Sequence, residues 1–295
     1  MKRLWVCFGI IIWLLAGRPS TAEAGLLFGA DGRGGNPSTL YTINPTTGAA
    51  TAVGAIQVGN ARLAISGLAF DTATNTLYGA TAPRQNGGGA PNELVKINTS
   101  TGAATPVGFF GVSISDLTFD TKTSTLFGWS GRVGGSSLQS INPATGQATQ
   151  IGFSNTIAGG AGLAANSAGT LFMVPGSSSG PLDTVNKTTG QATTVANLSG
   201  APSPFNPMFA LAFDENDVLF GLNGDFLVTI NTSTGAMTSH GEITHNGTPV
   251  SAMDAIAFAP QPNVVPEPAT LMVSGIGGVG LVWLGAWRRR RQRVA

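Results

Sequence analysis

The chain has 295 residues, of which 42% are hydrophobic and only 10% are charged, and its formal net charge is +1. Most basic residues lie near the two ends, so residues 25–265 hold seven basic and twelve acidic side chains, a net charge of −5. An acidic central region without a basic cluster gives no electrostatic basis for binding nucleic acid or anionic lipid, so no nucleic-acid partner is predicted. The single cysteine, Cys7, lies near the N-terminus, which excludes disulfides and cysteine-ligated metal sites from the central region.

The first 24 residues have the features of a cleaved secretory signal peptide. Two basic residues precede an apolar run at 4–16, and a small-residue site, Ala22-Glu23-Ala24, follows it. A retained N-terminal membrane helix is the alternative, but the apolar run is short and Arg18 soon follows it. We therefore predict that residues 1–24 are removed and that the rest of the chain is exported.

A motif repeated five times organises residues 25–260. Each copy reads Leu, two variable residues, Ile or Val, Asn, three further residues and Gly, and a stretch rich in small residues follows it. The repeated asparagines, spaced 54, 44, 44 and 45 residues apart, are Asn44, Asn98, Asn142, Asn186 and Asn231. A period of this length is typical of one four-stranded blade of a β-propeller.

A second repeated element lies between these motifs and supplies two more strands for each blade. Its first copy runs from Gly67 to Asp71 and continues at Thr76 to Gly79, and its alternation of apolar and small residues is typical of short strands. No part of residues 25–260 has helical spacing. Three aspartates close the first strand of this element and are predicted to bond forward within turns, not to act in catalysis or calcium binding: Asp71, Asp120 and Asp214. The stretch from Asp214 to Asp217 is the best calcium candidate, but it lacks a complete calcium-loop motif.

The two ends of the repeat region complement each other. Leu26 to Gly29 matches the second strand of a blade, whereas Ala255 to Phe258 matches a first strand with no blade after it. Together they would complete one blade and close the ring. We therefore predict an all-β fold, a five-bladed propeller of four-stranded blades over residues 25–260, whose repeats resemble those of bacterial surface-layer-type propellers. An open β-solenoid or a sandwich is the alternative, but neither accounts for the complementary ends.

The predicted topology places the loops of variable length on one face. If the Gly-Leu-Ala-Phe strand is innermost, both the loops between second and third strands and the links between blades fall on that face, where function is more often carried. Every arginine of the region lies there, and as a group these residues could bind an anionic sugar or a carboxylate: Arg33, Arg62, Arg84 and Arg132. The alternative is that they are solvated loop residues, because four acidic residues share the face: Asp31, Glu93, Asp116 and Asp225.

No motif in the chain indicates an enzyme. The nucleophile elbow, the metalloprotease helix motif and the phosphate loop are all missing from the sequence, so we predict a non-enzymatic protein without catalytic residues, cofactor or metal. A metal site on the two histidines, His240 and His245, would need a carboxylate such as Glu242 or Asp254. The rival function is a hydrolase or lyase acting on extracellular polysaccharide, which requires paired carboxylates such as Asp116 and Asp254 to converge at the channel mouth.

The C-terminus has three segments in a fixed order. A linker at 261–268 ends in Pro266-Glu267-Pro268, an uncharged stretch of 19 residues follows at 269–287, and a basic tail fills 288–295. A stretch of that length just spans a bilayer as a transmembrane helix, and arginines after it hold the tail in the cytoplasm. These topology residues are Arg288, Arg289, Arg290, Arg291 and Arg293.

This order of motif, span and basic tail resembles the PEP-CTERM sorting signal of Gram-negative bacteria. The resemblance covers about a tenth of the chain and concerns sorting alone. It implies that an exosortase-type processing enzyme recognises Pro266-Glu267-Pro268, removes the span and releases the protein to the cell surface or extracellular matrix. We therefore predict a membrane-anchored precursor that becomes a surface or extracellular protein, whose variable loops bind extracellular polysaccharide or surface proteins.

Overall fold

A computed structural model describes residues 25–82, 92–131, 135–156, 160–176, 180–200 and 207–260. The predicted signal peptide, the sorting motif, the C-terminal span, the basic tail, Arg84 and Arg132 all lie outside these ranges. No helix in the described ranges is long and apolar enough to cross a membrane.

The described residues form five antiparallel blades of four strands around a central channel. Blade 1 contains β1 (Leu26–Asp31), β2 (Thr39–Ile43), β3 (Ala49–Ala55) and, as its innermost strand, β24 (Met253–Ala259). Blade 2 contains β6 (Ala64–Asp71), β7 (Thr76–Ala82), β8 (Glu93–Ile97) and β9 (Ala104–Phe109). Blade 3 contains β10 (Asp116–Asp120), β11 (Thr125–Ser130), β12 (Ser137–Ile141) and β13 (Ala148–Phe153). Blade 4 contains β14 (Ala161–Ala165), β15 (Leu171–Pro175), β16 (Pro181–Val185) and β17 (Ala192–Asn197). Blade 5 contains β18 (Met208–Phe213), β19 (Leu219–Asn223), β20 (Phe226–Ile230) and β21 (Met237–Glu242). The predicted all-β propeller of five four-stranded blades is confirmed.

Four short strands lie in the links between blades. β4 (Gln57–Val58) and β5 (Ala61–Arg62) form a ribbon between blades 1 and 2. β22 (Thr244–His245) pairs in parallel with β3, and β23 (Thr248–Pro249) pairs with β22, which extends the sheet of blade 1 to six strands. The link from blade 5 thereby covers the outer edge of blade 1, an edge that would otherwise expose unpaired backbone groups.

The ring closes within blade 1 through strands from both ends of the repeat region. β24 pairs with β1 in antiparallel register, with Leu27 opposite Phe258, Phe28 opposite Ala257 and Gly29 opposite Ile256. The complementary ends predicted from the sequence therefore do form one blade. This pairing makes the ring depend on residues more than two hundred positions apart.

Five hydrophobic clusters hold the blades together, one at each interface between neighbours. Successive side chains of a strand point to opposite faces of its sheet, so each blade serves two interfaces. Leu27 packs towards blade 5 with Leu222, whereas the adjacent Phe28 packs towards blade 2 and stacks on Phe70 with ring centroids 6.5 Å apart. The core is therefore a ring of inter-blade layers.

The repeated Asn-to-Gly hairpins fasten each blade to the one before it. In blade 3, Asn142 Oδ1 accepts a hydrogen bond from Ala144 N at 2.9 Å, and Gly146 closes the turn with φ of 76°. This hairpin packs against β9, the outermost strand of blade 2. Thr145 O occupies the place that a Cβ of Gly108 would take. The same close approach recurs at the other four interfaces, between Gly102 and Gly54, Gly190 and Gly152, Gly235 and Asn197, and Gly48 and Glu242. The turn chemistry was predictable, but the docking of each hairpin on the preceding blade was not predicted.

Candidate binding site on the loop face

We call the end of the ring where the innermost strands begin the loop face, and the opposite end the turn face. A cleft of about 320 Å³ opens on the loop face where blade 5 meets blade 1. Its lining residues are Arg33, Pro207, Phe209, Gly224, Asp225, Phe226 and Glu242. Blade 5 has the shortest connection between second and third strands, only Gly224 and Asp225, and both residues line the cleft.

Arg33 forms one wall of this loop-face cleft and is held from two sides. Its backbone N and that of Gly32 both donate to Ala252 O, at 3.0 and 2.9 Å. Its guanidinium Nη2 donates to Asp225 Oδ1 at 2.9 Å, and its Cζ lies 5.2 Å from the ring centroid of Phe209. A guanidinium that is both paired and stacked has a fixed direction. The cleft therefore combines an aromatic surface, an oriented cation and carboxylates within a small volume.

Asp254 lies next to this group at the start of β24, with its side chain half-buried. Burial raises the pKa of Asp254 to about 7, although the positive charge of Arg33 opposes that rise. No hydrogen bond reaches its carboxyl group from the described residues. The carboxyl group of Asp254 is therefore partly protonated at neutral pH.

Asp116 begins β10 and is completely buried in the channel. Its Oδ1 accepts a hydrogen bond from Leu117 N and its Oδ2 accepts one from Leu163 N of the next blade, both at 2.8 Å. Burial raises the pKa of Asp116 well above its usual range, backbone donors including Leu211 N oppose the rise, and the charge of Asp254 adds to it. The charge of Asp254 thus reaches Asp116, but both oxygens of Asp116 already accept hydrogen bonds from main-chain donors.

The role of Asp116 follows from the geometry of the channel wall. Each innermost strand has one edge without a neighbouring strand in its own sheet, so backbone N–H groups on that edge need other acceptors. Side chains of the neighbouring blade supply them elsewhere in the ring: Ser38 Oγ accepts from Ile65 N at 2.9 Å, and Thr118 Oγ1 accepts from Ala165 N at 3.0 Å. Asp116 thus links the innermost strands β10 and β14, because its carboxyl group accepts hydrogen bonds from backbone N–H groups that no further strand can pair.

Arg62 also lies on the loop face, but it has different partners from Arg33. Its Nη2 donates to Ser38 O at 2.9 Å, and its charge lowers the pKa of Asp31, whose burial nevertheless raises that pKa overall. The two described arginines therefore contribute to separate interactions. Because Arg84 and Arg132 lie outside the described residues, the four-arginine ligand site stays a prediction.

The predicted turn aspartates do bond forward within their turns. Asp71, Asp120 and Asp214 each accept a hydrogen bond from the backbone N two residues ahead, at 3.0, 2.9 and 2.9 Å. Each of these carboxylates thus stabilises a turn between first and second strands.

The two histidines occupy separate positions. His240 Nε2 lies 3.2 Å from Thr229 Oγ1, and His245 Nδ1 lies 3.0 Å from Ala50 O. Within the described ranges, no group of three or more His, Cys, Asp or Glu side chains is arranged to hold a metal ion.

Sequence reasoning missed most of the cleft. No sequence motif singles out Phe209, and the sequence indicates Asp225 only as an acidic residue on the same face as the arginines. The available signal was the two-residue connection at Gly224 and Asp225, because the other blades have longer connections at that point.

Comparisons with known proteins identify the fold without identifying a family. No family model matches the sequence, and no curated protein matches it. A chain in the crystal structure of a nidogen/laminin complex is similar to this one, with a TM-score of 0.53 and 13% identity over 80% of this chain and 98% of that chain. A structural-genomics protein of unknown function from Bacteroides thetaiotaomicron VPI-5482 has a TM-score of 0.47 and 16% identity, over 67% of this chain and 53% of that one. At 13% identity, the first likeness concerns the propeller fold alone.

Proposed function

We propose that this protein is an exported, exosortase-sorted component of the cell surface or extracellular matrix, and that it binds neutral polysaccharide in the loop-face cleft without acting as an enzyme. The observation that carries the binding proposal is the cleft itself, in which Phe209, paired Arg33 and two carboxylates surround one opening. The signal peptide and the sorting signal that resembles PEP-CTERM support the proposed destination.

The chemistry of the cleft suits a sugar. One face of a sugar ring is largely C–H and packs on an aromatic surface, while its hydroxyl groups donate to carboxylates and accept from a guanidinium. The volume of about 320 Å³ is at the small end of ligand sites, which suits one or two sugar units of a longer chain.

The charge of the cleft favours a neutral ligand over an anionic one. Arg33 is already paired with Asp225 at 2.9 Å, and Glu242 adds a second carboxylate to the lining. An anionic sugar would have to break that pair and approach two like charges, which costs free energy. Neutral polysaccharide avoids both costs.

Binding without catalysis is supported by the state of Asp116. A polysaccharide hydrolase needs two carboxyl groups available to the substrate. Both oxygens of Asp116 accept backbone hydrogen bonds at 2.8 Å, so this residue is committed to the channel wall.

A hydrolase or lyase remains the second candidate because of one observation. Asp254, with a pKa of about 7, has the proton affinity of a general acid or base at neutral pH. Incubation of the protein with bacterial polysaccharides, followed by analysis of reducing ends and unsaturated products, tests it. Product formation that Asp254→Asn abolishes would replace the binding proposal with the enzymatic one.

The binding proposal is tested with a glycan array and with affinity electrophoresis in neutral and acidic polysaccharides. Phe209→Ala should weaken binding by at least tenfold, because it removes the aromatic surface, a contact of about 1.5–3 kcal/mol. Phe109→Ala is the matched control, since Phe109 is 62% exposed on the outermost strand of blade 2. Equal binding by wild type and Phe209→Ala would show that the sugar site is elsewhere. Retention of matrix proteins but of no polysaccharide would favour a protein ligand, which the propeller of the nidogen/laminin complex makes a reasonable alternative.

The sorting proposal is tested separately by intact mass and by location. Wild-type protein should be found outside the cell in a form shortened near Pro266-Glu267-Pro268, and Glu267→Ala should remain longer and membrane-bound. A full-length membrane form in both strains would mean that the C-terminal span is a permanent anchor.

A further inference from the structure

The N-terminal end of the described chain is bound by a carboxylate on another blade. Gly25 N donates to Glu215 Oε1 at 2.9 Å, and Gly25 is buried. Glu215 lies in the turn between β18 and β19 of blade 5, whereas Gly25 directly precedes β1 of blade 1. The hydrogen bond therefore crosses from blade 5 to blade 1 on the turn face, beside the strand pair that closes the ring.

The space beside Gly25 is small in the present position of the Glu215 side chain, which is exposed. A Cβ added there would overlap Glu215 Oε2 and would lie 3.0 Å from Ala259 O. Because Gly25 has no side chain, its backbone nitrogen can approach the Glu215 carboxylate directly. Such a niche is suited to a small, charged amino group.

The described lining of one cavity beside Glu215 has acidic but no basic side chains. A cavity of about 170 Å³ at the turn-face end of the channel has Glu215 in its lining, together with Asp214 and Asp217. No lysine, arginine or histidine is among its described lining residues. A cation placed at Glu215 would be attracted by all three carboxylates.

We propose that Glu215 is the receptor for the new α-ammonium group of Gly25, so that removal of the leader peptide completes the seam between blades 5 and 1. This inference rests on the exported state proposed above. Hydrolysis of the Ala24–Gly25 bond by a leader peptidase adds one water molecule. Ala24 leaves as a carboxylate, and the nitrogen of Gly25 becomes an ammonium group with three N–H donors and a charge of +1. The existing hydrogen bond to Glu215 then becomes an ion pair.

The ion pair would form only when the leader has been removed. A chain that still carries its leader has a neutral amide at this position, so Glu215 gains no positive charge from this bond. The bond from the neutral amide already has an ionised acceptor, so cleavage strengthens the closure of the ring by adding the Coulomb attraction of the ammonium charge. The mature protein is therefore more stable than its precursor at the seam between its first and last blades.

The test is a four-protein comparison that needs neither exosortase nor ligand. The chain beginning at Gly25 and the same chain retaining Ala24 are released in vitro from a removable N-terminal fusion, each with Glu215 and with Glu215→Gln, and all extend to Ala295 in detergent. Retention of Ala24 should lower Tm by about 2–4 °C when Glu215 is present and should have little effect in Glu215→Gln. Glu242→Gln, on the opposite face, is the matched control and should leave the effect of Ala24 unchanged.

A second readout separates an ion pair from simple crowding by Ala24. Glu215 should hold the α-amine of Gly25 in its charged form, so an amine-reactive reagent should label it about tenfold more slowly than in Glu215→Gln at neutral pH, as one pKa unit implies. Equal labelling, or an equal Tm loss in both Glu215 backgrounds, would overturn the proposal. N-terminal sequencing of the exported protein must also find Gly25 first. A different first residue would refute cleavage at this bond, whereas failure to bind polysaccharide would leave the proposal intact.

Discussion

Asp254→Asn should stabilise the protein at neutral and alkaline pH, although it removes a charged side chain. The folded pKa of about 7 lies roughly three units above the usual value of 3.8. At about 1.4 kcal/mol for each unit, the ionised form in the folded chain is destabilised by at most about 4 kcal/mol. Because Asp254 keeps part of its surface in solvent, about 2 kcal/mol is the expected size.

The direction of this change in stability follows from the number of protons that the folded and the unfolded chain bind. Below about pH 4 the residue is protonated in both the folded and the unfolded chain, so it has no effect on stability. Between pH 4 and 7 the folded chain keeps a proton that the unfolded chain has lost, so stability falls as pH rises through this range. The neutral asparagine avoids this loss and should therefore match wild type at pH 4 and exceed it at pH 8.

The assay is thermal and urea unfolding of both proteins from pH 4 to pH 8. A difference of about 2 kcal/mol corresponds to a Tm increase of about 4–8 °C for a domain of this size. Asp120→Asn should behave in the opposite way, because Asp120 is fully buried and bonded to Lys187 at 2.8 Å. Burial alone would raise the pKa of Asp120, but the bonds from Lys187, Thr123 and Lys122 lower it overall. Asp120→Asn should thus destabilise at pH 7, and this loss should shrink as the pH falls below about 4.

Equal stability of wild type and Asp254→Asn at pH 8 would refute the reasoning, and so would a gain of the same size at pH 4. In the first case Asp254 is adequately solvated in the channel mouth. In the second case the gain comes from packing and not from charge. A pH-dependent gain would instead mean that the protein keeps an unfavourable carboxyl group beside its candidate binding site, a cost typical of functional positions.

Two further predictions concern the interfaces between blades. Gly108→Ala should cost about 3 kcal/mol, since its Cβ would overlap Thr145 O of blade 3, while Gly111→Ala, with φ of 79° but no atom within 4 Å, should cost only about 1 kcal/mol. Equal costs in urea unfolding would show that space is not the constraint at Gly108. Asp116→Ala should cost about 2–6 kcal/mol, because it leaves the buried N–H groups of Leu117 and Leu163 without an acceptor, at about 1–3 kcal/mol each. Wild-type stability of Asp116→Ala would mean that water or another side chain satisfies the channel edge.

The architecture was predictable because it rests on local and repeated chemistry. The period of the asparagine motif indicated a four-stranded blade and its five copies gave the number of blades, while the residues that open and close each hairpin have intrinsic turn preferences, as Asn142 and Gly146 illustrate. Even the long-range pairing of β1 with β24 could be inferred, because Leu26 to Gly29 and Ala255 to Phe258 match different strands of the same repeat. Each complete repeat shows which strands a blade contains, so the strand that is missing from an incomplete repeat can be recognised in the sequence.

The candidate site was not predictable, because it depends on which blades become neighbours and on how closely they approach. Arg33 is far in the chain from Phe209 and Asp225 of blade 5, and it meets them only because the ring brings blade 5 against blade 1. The glycines at 54, 108 and 152 look like ordinary strand residues until the next blade's hairpin occupies the place of their side chains. Asp116 likewise reads as a surface charge in the sequence, and only the closed ring surrounds it with backbone donors from neighbouring strands. The sequence by itself determined the repeat, the turns and the closing strands, which follow from local backbone preferences and period. The burial and pairing of the loop-face charges, and the raised pKa values of Asp31, Asp116 and Asp254, were decided by the tertiary structure, because those properties arise from atoms that blade closure brings together.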